Sequence, residues 1–375
     1  MRTTTASILA IALAACGADP AEETAAPGDC SRYQERRGDA CHEVRTIGLE
    51  EREIAFERDG YTLNGTLVVP TTEGEYLAPL FVLVHGSGPN DRDETSDGNL
   101  GIGYGVDVPT FRLLAEGLAQ AGAAVFRYDK RSCFTENSAG RCPNSVADYP
   151  GDPGAILVDD YVFDLRAAVR AAGAQAGIDA RDVTVIGHSQ GANFVPQVAD
   201  EPGVVGGVQL AGPSLPIDVV VVEQMRLYAD DLEAKGSRFA KDAEAYRAEA
   251  DRFEVALGQI RDGTYAGAQF EGAPVGHWRS WFDRTDHLRE EFLAMKQPIL
   301  LLNGDLDFNV RSSHLDRFRG WAEEAGKENA SFLLVPGATH SFVQLTDGGR
   351  GLREFFSSTA LDAIVEWHKS LSPAE

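Results

Sequence analysis

Residues 182–198, DVTVIGHSQGANFVPQV, constrain the fold more than any other stretch of this chain. The β-branched run 183–186 predicts a buried strand, and a helix is expected to begin just after the G-x-S-x-G sequence 187–191. The glycines on either side leave room for a tight turn that exposes Ser189. Free N–H groups at the helix start would favour negative charge beside that serine. The stretch predicts a reactive serine, with a glycine-rich turn lacking chemistry as the alternative.

The rest of the chain alternates between apolar runs and helical patterns. The run 79–84 is wholly apolar, as is typical of a strand covered on both faces of a parallel sheet. Further strands are expected at 123–128, 204–210, 298–302 and 332–335, with a β-hairpin at 53–70. Helices are expected at 109–120, 158–174, 313–325 and 352–370. This α/β pattern predicts a doubly wound, mostly parallel sheet with its ligand site at the carboxyl ends of the strands.

Residues 213–293 interrupt this alternation with two long charged helical stretches and the aromatic-rich segment 276–282. They are interpreted as a helical cap inserted into the sheet domain. Residues 17–41 are polar and rich in Ala, Pro, Glu and Gly, which is typical of a tether, with limited structure expected at its end. The expected organisation is a signal peptide at 1–15, a tether with a probable disulfide at 16–48, a sheet core at 49–212 and 294–375, and the cap at 213–293.

The first sixteen residues predict export and lipid attachment. Arg2 precedes the apolar run 8–15, which is too short to span a bilayer and is typical of a secretory signal. Leu13-Ala14-Ala15-Cys16 resembles a bacterial lipobox, in which the signal is cut before a cysteine that becomes lipidated. Gly17 is not the aspartate associated with inner-membrane retention, so the expected location is the cell envelope, with the outer membrane as a weaker inference. An ordinary signal peptide is the alternative.

Four other cysteines lie in two close pairs. In an exported protein this even count favours two local disulfides, Cys30–Cys41 and Cys133–Cys142, although three connectivities are possible. A zinc site is a poor alternative because neither pair has the close C-x-x-C spacing. We expect neither a metal nor a cofactor.

The chain is strongly acidic, with 34 Lys and Arg against 58 Asp and Glu and a formal net charge of −24. Such a surface repels the phosphates of nucleic acids and of anionic membranes. We therefore expect no nucleic-acid partner, and membrane contact only through the N-terminal lipid. The oligomeric state is left open.

A serine hydroxyl needs a base to take its proton, and that base needs an acid to orient it. His340 lies after a predicted strand and before the last helix, where the base is expected. Asp305 and Asp307, after the strand 298–302, are both candidates for the acid. The order Ser, Asp, His is the one found on open α/β sheets with this turn. Gln190 N–H, directly after the serine, is expected to stabilise an oxyanion.

The segments HGSGPNDRDE (85–94), RYDKR (127–131), GHSQG, NGDLD (303–307) and THSF (339–342) resemble α/β-hydrolases, over about residues 50–370. The nearest group is that of bacterial secreted dienelactone-hydrolase and prolyl-oligopeptidase-like proteins, many of them esterases. The resemblance implies that Asp307 is the acid, that Ser87 N–H is the second oxyanion donor, and that Trp278 and Arg279 line the substrate pocket. Relatives tend to have glycine after DKR, whereas this chain has Ser132-Cys133.

The expected function is therefore a lipid-anchored serine hydrolase that acts on a small ester. A serine peptidase for short peptides is the alternative among enzymes, and a catalytically silent binding lipoprotein is the alternative outside them. The charged loop residues Asp91, Arg92, Asp93 and Glu94 are interpreted as internal ion pairs, with substrate binding by Arg92 as the other possibility.

Overall fold

The computed structural model describes residues 30–96, 108–347 and 352–371. The predicted signal peptide and the lipidation site Cys16 lie outside the described residues. No helix in the described ranges is long and apolar enough to cross a membrane.

The elements alternate along the chain much as the apolar pattern predicts. The strands are β1 Gln34–Arg37, β2 Ala40–Glu43, β3 Thr46–Arg58, β4 Tyr61–Thr72, β5 Ala78–Val84, β6 Thr95–Ser96, β7 Val108–Pro109, β8 Ala124–Tyr128, β9 Ile178–His188, β10 Val204–Leu210, β11 Gln269–Phe270, β12 Ala273–Pro274, β13 Ile299–Gly304, β14 Ala330–Val335, β15 Val343–Asp347 and β16 Leu352–Phe356. The helices are α1 Thr110–Gln120, α2 Val158–Gly173, α3 Ile217–Ala234, α4 Ala240–Asp262, α5 Val275–Thr285, α6 Leu288–Ala294, α7 Ser312–Ala325 and α8 Ser358–Ser370.

Eight strands form one sheet in the order β14-β13-β10-β9-β5-β8-β4-β3. The pairs β3–β4 and β4–β8 are antiparallel and the remaining pairs are parallel, which confirms the predicted doubly wound, mostly parallel sheet. All seven residues of β5 are buried. Leu80 and Val82 pack in the same core cluster as α2 and α7, whereas Phe81 and Leu83 pack with α1 and α8. Helices therefore cover both faces, and the parallel strands end at a common edge.

The cap consists of α3 to α6, close to the predicted bounds 213–293. A short hairpin, β11–β12, lies between α4 and α5, where only helices were expected. Both predicted disulfides are present, Cys30–Cys41 and Cys133–Cys142.

Residues 30–48, the described end of the predicted tether 16–48, are more ordered than the limited structure expected there. Residues 34–43 form the hairpin β1–β2, which the Cys30–Cys41 disulfide closes. Arg32 Nη2 lies 2.7 Å from Asp182 Oδ1, and its Nη1 donates to the carbonyl oxygens of His368 and Leu371 at 2.8 Å. Tyr33 is 2% exposed. Residues 30–48 therefore belong to the folded domain, because they bury an aromatic ring and a charged pair against it.

Two helix predictions are corrected. The segment after Ser189 is a 3-10 helix, Ser189–Val198, that contains Pro196, a residue with no N–H for an α-helical hydrogen bond. The last helix begins at Ser358 rather than at 352, since residues 352–356 pair with β15. Ser357 marks the boundary by accepting a hydrogen bond from Ala360 N–H through its hydroxyl.

Candidate active site

Ser189 lies on the tight turn that the sequence predicts between β9 and the 3-10 helix. Its φ is +52°, a left-handed conformation that costs a non-glycine residue about 1–3 kcal/mol. A Cβ added to Gly187 would lie 2.2 Å from Gly191 O, and one added to Gly191 would lie 2.3 Å from Val84 O. Both flanking glycines are therefore required by close backbone approaches. The turn presents Ser189 at the carboxyl edge of the sheet, half-buried.

His340 and Asp307 meet at the same edge, after β14 and β13. His340 Nδ1 lies 2.9 Å from Asp307 Oδ2, and the Asp307 side chain is fully buried. Asp307 Oδ1 accepts the backbone N–H groups of Asn309 at 2.8 Å and Val310 at 2.9 Å. The carboxylate is thus fixed by these three groups and by Asn303 Nδ2, which lies 3.5 Å from Oδ2. Asp305 is oriented differently, and its Oδ1 accepts Gly337 N–H at 2.7 Å, which holds the turn before the histidine.

In the described part of the chain, the ring of His340 is hydrogen-bonded to Asp307 through Nδ1, and its backbone carbonyl oxygen lies against Nε2 of His188. Ser189 Oγ, in the same part of the chain, makes no hydrogen bond with the His340 ring. Catalytic hydrogen bonds are often long in unliganded sites and tighten when substrate binds.

The two expected oxyanion donors, Ser87 and Gln190, line one small cavity together with Ser189. The loop after β5 is held in place around them. Gly86 N–H donates to Glu94 Oε1 at 2.6 Å, and Asn90 Nδ2 donates to the carbonyl oxygens of Gly86 and Ser87 at 3.0 Å. Preorganised backbone donors are what an oxyanion requires, because they need not reorient during reaction.

Lys130 is a buried neighbour of this site to which the sequence assigned no role. Its Nζ donates to Gly86 O at 2.6 Å and to Gln190 Oε1 at 2.9 Å. Burial lowers the pKa of Lys130 to about 7, against a smaller opposing effect of the Glu94 charge. The sequence signals for this residue were its place in the RYDKR segment and its position two residues after a buried strand.

The charged loop 91–94 is organised by ion pairs, but these join it to residues outside the loop rather than within it as expected. Arg92 Nη2 lies 2.7 Å from Asp129 Oδ2, and Arg92 also contacts Glu53. Asp93 pairs with Arg127 and Asp91 with Arg141. The guanidinium group of Arg92 is therefore used in ion pairs within the protein and is not assigned to a substrate carboxylate.

Glu94 has a different role from its neighbours in that loop. Its Oε2 lies 2.9 Å from Nδ1 of His188, the residue directly before Ser189. His188 Nε2 lies 3.0 Å from His340 O. The sequence gives no sign of this contact, because only the fold brings these distant positions together.

Two adjacent cavities share Gln190 and Trp281. The smaller, about 50 Å³, contains Ser189 and is covered by apolar cap residues of α3. The larger, about 630 Å³, lies between the cap and the disulfide-closed loop after Lys130. Its aromatic lining comes from Phe134, Tyr161, His277, Trp278 and Trp281.

The structure separates the two predicted pocket residues. Trp278 lines the larger cavity and donates from Nε1 to Phe270 O at 3.0 Å. Arg279 does not line either cavity. Its Nε donates to Ile260 O at 3.2 Å, near the end of α4, so this side chain holds the cap helices together. Neighbouring positions on a helix point in different directions, which explains the difference.

Comparison with known proteins gives concordant results. A sequence model of the Alpha/beta hydrolase family matches residues 81–354. Esterase EstD of Thermotoga maritima is 28% identical over 299 residues, which cover 77% of this chain and 61% of EstD. The chain thus spans about 61% of the length of that curated relative.

Solved structures show the same fold. Pyrococcus horikoshii acylaminoacyl peptidase matches with a TM-score of 0.52 and 14% identity, covering 88% of this chain and 43% of that chain. A hypothetical protein from Pseudomonas aeruginosa matches with a TM-score of 0.51 and 18% identity, covering 87% of this chain and 95% of that chain.

Proposed function

Because the chain belongs to the α/β-hydrolase family, we propose that it is a serine hydrolase that cleaves carboxylic esters through an acyl-enzyme. The observation that carries the proposal is the convergence of the strained Ser189 and the hydrogen-bonded His340–Asp307 pair at one edge of the sheet. The similarity to EstD, which is named an esterase, supports esters as the substrate class.

In the proposed reaction, Ser189 Oγ attacks the ester carbonyl carbon while His340 Nε2 takes the hydroxyl proton. Asp307 accepts the Nδ1–H of His340, which leaves Nε2 as the basic nitrogen. The N–H groups of Ser87 and Gln190 bind the developing oxyanion. His340 then protonates the departing alcohol. Finally, His340 deprotonates a water molecule that releases the acid and restores Ser189.

The cavities support a short acyl group and a larger alcohol. The cavity at Ser189 is about 50 Å³ and is lined by Leu215, Ile217, Val220 and Val221 among other residues. Water needs about 10–15 Å³ of such space, so this cavity suits only a few non-hydrogen atoms. The larger cavity is within the range of ordinary ligand pockets. We assign the acyl chain to the smaller cavity and the alcohol to the larger one.

Polar groups at the smaller cavity favour an acyl chain with a hydrogen-bonding substituent. Asn193 is 3% exposed and Gln190 is 4% exposed. Within the described ranges, Asn193 Oδ1 and Nδ2 and Gln190 Nε2 have no hydrogen-bond partner. A buried polar group without a partner costs about 1–3 kcal/mol. We propose that a hydroxyl or amide of the substrate, or water in its absence, occupies this position.

The test is fluorophosphonate labelling of the purified protein together with an ester panel. We expect the label to map to Ser189, and hydrolysis of p-nitrophenyl acetate to butyrate to exceed that of decanoate by about tenfold or more, because the long chain exceeds the small cavity. Dipeptide p-nitroanilides are the comparison substrates. Unlabelled protein, or faster cleavage of the anilides, would contradict an esterase.

We also propose that the protein is exported and attached to the bacterial cell envelope through lipid on Cys16. The run 8–16 supports this, and the two disulfides are compatible with an oxidising compartment. Cys16→Ser is expected to abolish incorporation of labelled fatty acid and to move the protein out of the membrane fraction. Unmodified chain serves as the control, and lipid labelling of the variant would exclude this attachment site.

A further inference from the structure

Glu94 and His188 form a buried charged pair behind the nucleophile. Their side chains are 7% and 8% exposed, and Glu94 Oε2 lies 2.9 Å from His188 Nδ1. The two atoms lie within salt-bridge distance without the alignment of a hydrogen bond, so the contact is electrostatic. Glu94 has φ +47°, a conformation unfavourable for glutamate that the surrounding structure must hold in place. Both residues lie outside the reaction sequence described above.

The pair connects three separate parts of the proposed machinery. His188 is covalently joined to Ser189. Its Nε2 lies 3.0 Å from the carbonyl oxygen of His340, the proposed base. Glu94 Oε1 accepts Gly86 N–H at 2.6 Å, in the residue before the proposed oxyanion donor Ser87. One carboxylate and one imidazole thus fix the nucleophile turn, the base loop and the oxyanion loop relative to one another.

The partners of His188 require both of its nitrogens to carry protons. Nδ1 faces a carboxylate oxygen and Nε2 faces a carbonyl oxygen. Neutral imidazole carries one N–H, so it would place a lone pair against one of these two acceptors. Protonated imidazole donates from Nε2 to the carbonyl oxygen and places positive charge against the carboxylate at Nδ1. The contacts therefore select the imidazolium form.

The charges around the pair favour the same state. Burial alone would lower the pKa of His188, but the Glu94 carboxylate outweighs it and the pKa is raised, with a smaller contribution from Asp307. Burial would raise the pKa of Glu94, but His188 holds it below its usual range. His85 is also nearby and stays neutral, since burial lowers its pKa to about 4. Among the described residues, Lys130 also faces Glu94, and the ring centroids of His188 and His340 lie 4.7 Å apart.

We propose that Glu94 and protonated His188 are positioning residues that hold the His340 loop and the Gly86–Ser87 loop in the correct position relative to Ser189. The inference rests on the proposed function, because the relative position of these loops affects the rate only if they act on one substrate. The pair touches no reacting atom. Its effect is expected on the rate of acylation rather than on substrate binding.

The decisive variant is Glu94→Gln, which keeps the shape of the side chain and an oxygen for Gly86 N–H but removes the charge. A histidine with a raised pKa keeps its contribution below the unfolded value of about 6.5 and loses it as pH rises through the folded value. Without Glu94 the pKa of His188 is lower, so the contribution of protonated His188 is lost at a lower pH. We expect kcat to fall about tenfold to hundredfold in the pH range where His188 is protonated only in the presence of Glu94. KM should change less than about twofold, and the deficit should shrink towards acidic pH.

The matched control is Asp182→Asn, at the opposite end of the buried run of β9. Asp182 Oδ1 lies 3.2 Å from His368 Nε2, so this is also a buried carboxylate–histidine pair. It is expected to lower Tm and leave the pH profile of kcat unchanged. His188→Gln provides a second variant without a titrating group, whose kcat should be reduced by a similar factor at every pH.

The measurements are pH profiles of kcat and KM, and the rate of fluorophosphonate labelling at each pH. Wild-type kcat values in Glu94→Gln across the whole pH profile, or a loss equal at every pH and accompanied only by a lower Tm, would overturn the positioning role. Absence of labelling in the unmodified protein would instead remove the proposed function. The two failures are therefore distinguishable.

Discussion

Replacing Ser189 with alanine is expected to reduce kcat/KM for short p-nitrophenyl esters by about a thousandfold to a millionfold. The change removes the only atom proposed to form the acyl-enzyme bond. It leaves the small cavity, the His340–Asp307 pair and the backbone donors in place. Alanine at φ +52° carries much the same backbone strain as serine, so Tm is expected to change little. Fluorophosphonate labelling should disappear together with turnover.

Ser87→Ala is the matched control for that loss. Ser87 is exposed, and its proposed contribution is a backbone N–H that alanine retains. Its kcat/KM is therefore expected to change less than about threefold. Labelling or turnover that survives in Ser189→Ala would assign the nucleophile elsewhere, and a large loss in Ser87→Ala would show that its hydroxyl takes part.

The sequence predicts the central sheet because a strand that is buried on both faces consists of consecutive apolar residues, which are visible in the sequence. The apolar run 79–84 lies within β5, with every residue buried, and the predicted hairpin at 53–70 lies within β3 and β4, with Asp59-Gly60 between them. The turn at Ser189 is predictable for a related reason. Its two glycines are required by backbone contacts that no side chain allows.

Pairings between distant segments leave no comparable mark. The composition of residues 17–41 indicated a tether, but in the fold the end of this segment is a hairpin packed on the domain. The contact between Arg32 and Asp182 that holds it there joins residues 150 positions apart, so it could not be read from the local sequence. Glu94 and His188 were placed in the right turns but not in contact with each other. Periodicity reports which side of an element is buried and not which partner it meets. The same limit separates Trp278, which lines a cavity, from Arg279, which does not.

Asp307→Asn is expected to reduce kcat by about ten-thousandfold through a change in the tautomer of His340. Oδ1 of residue 307 accepts two backbone N–H groups, so an asparagine must keep its oxygen there and turn its NH₂ group towards His340 Nδ1. Nδ1 must then be an acceptor, which places the ring proton on Nε2. A protonated Nε2 has no lone pair for the Ser189 hydroxyl proton. Little change in Tm is expected, because both backbone hydrogen bonds remain.

Asp305→Asn decides between the two carboxylates that the NGDLD segment offers. Asp305 Oδ1 accepts Gly337 N–H at 2.7 Å, a bond that an amide oxygen also makes. We therefore expect kcat to fall less than about threefold, with any effect appearing as a small decrease in Tm. The kcat ratio of the two variants is the measurement. Equal losses would mean that the turn before His340 matters as much as its tautomer, and a larger loss in Asp305→Asn would transfer the role of the acid to that residue.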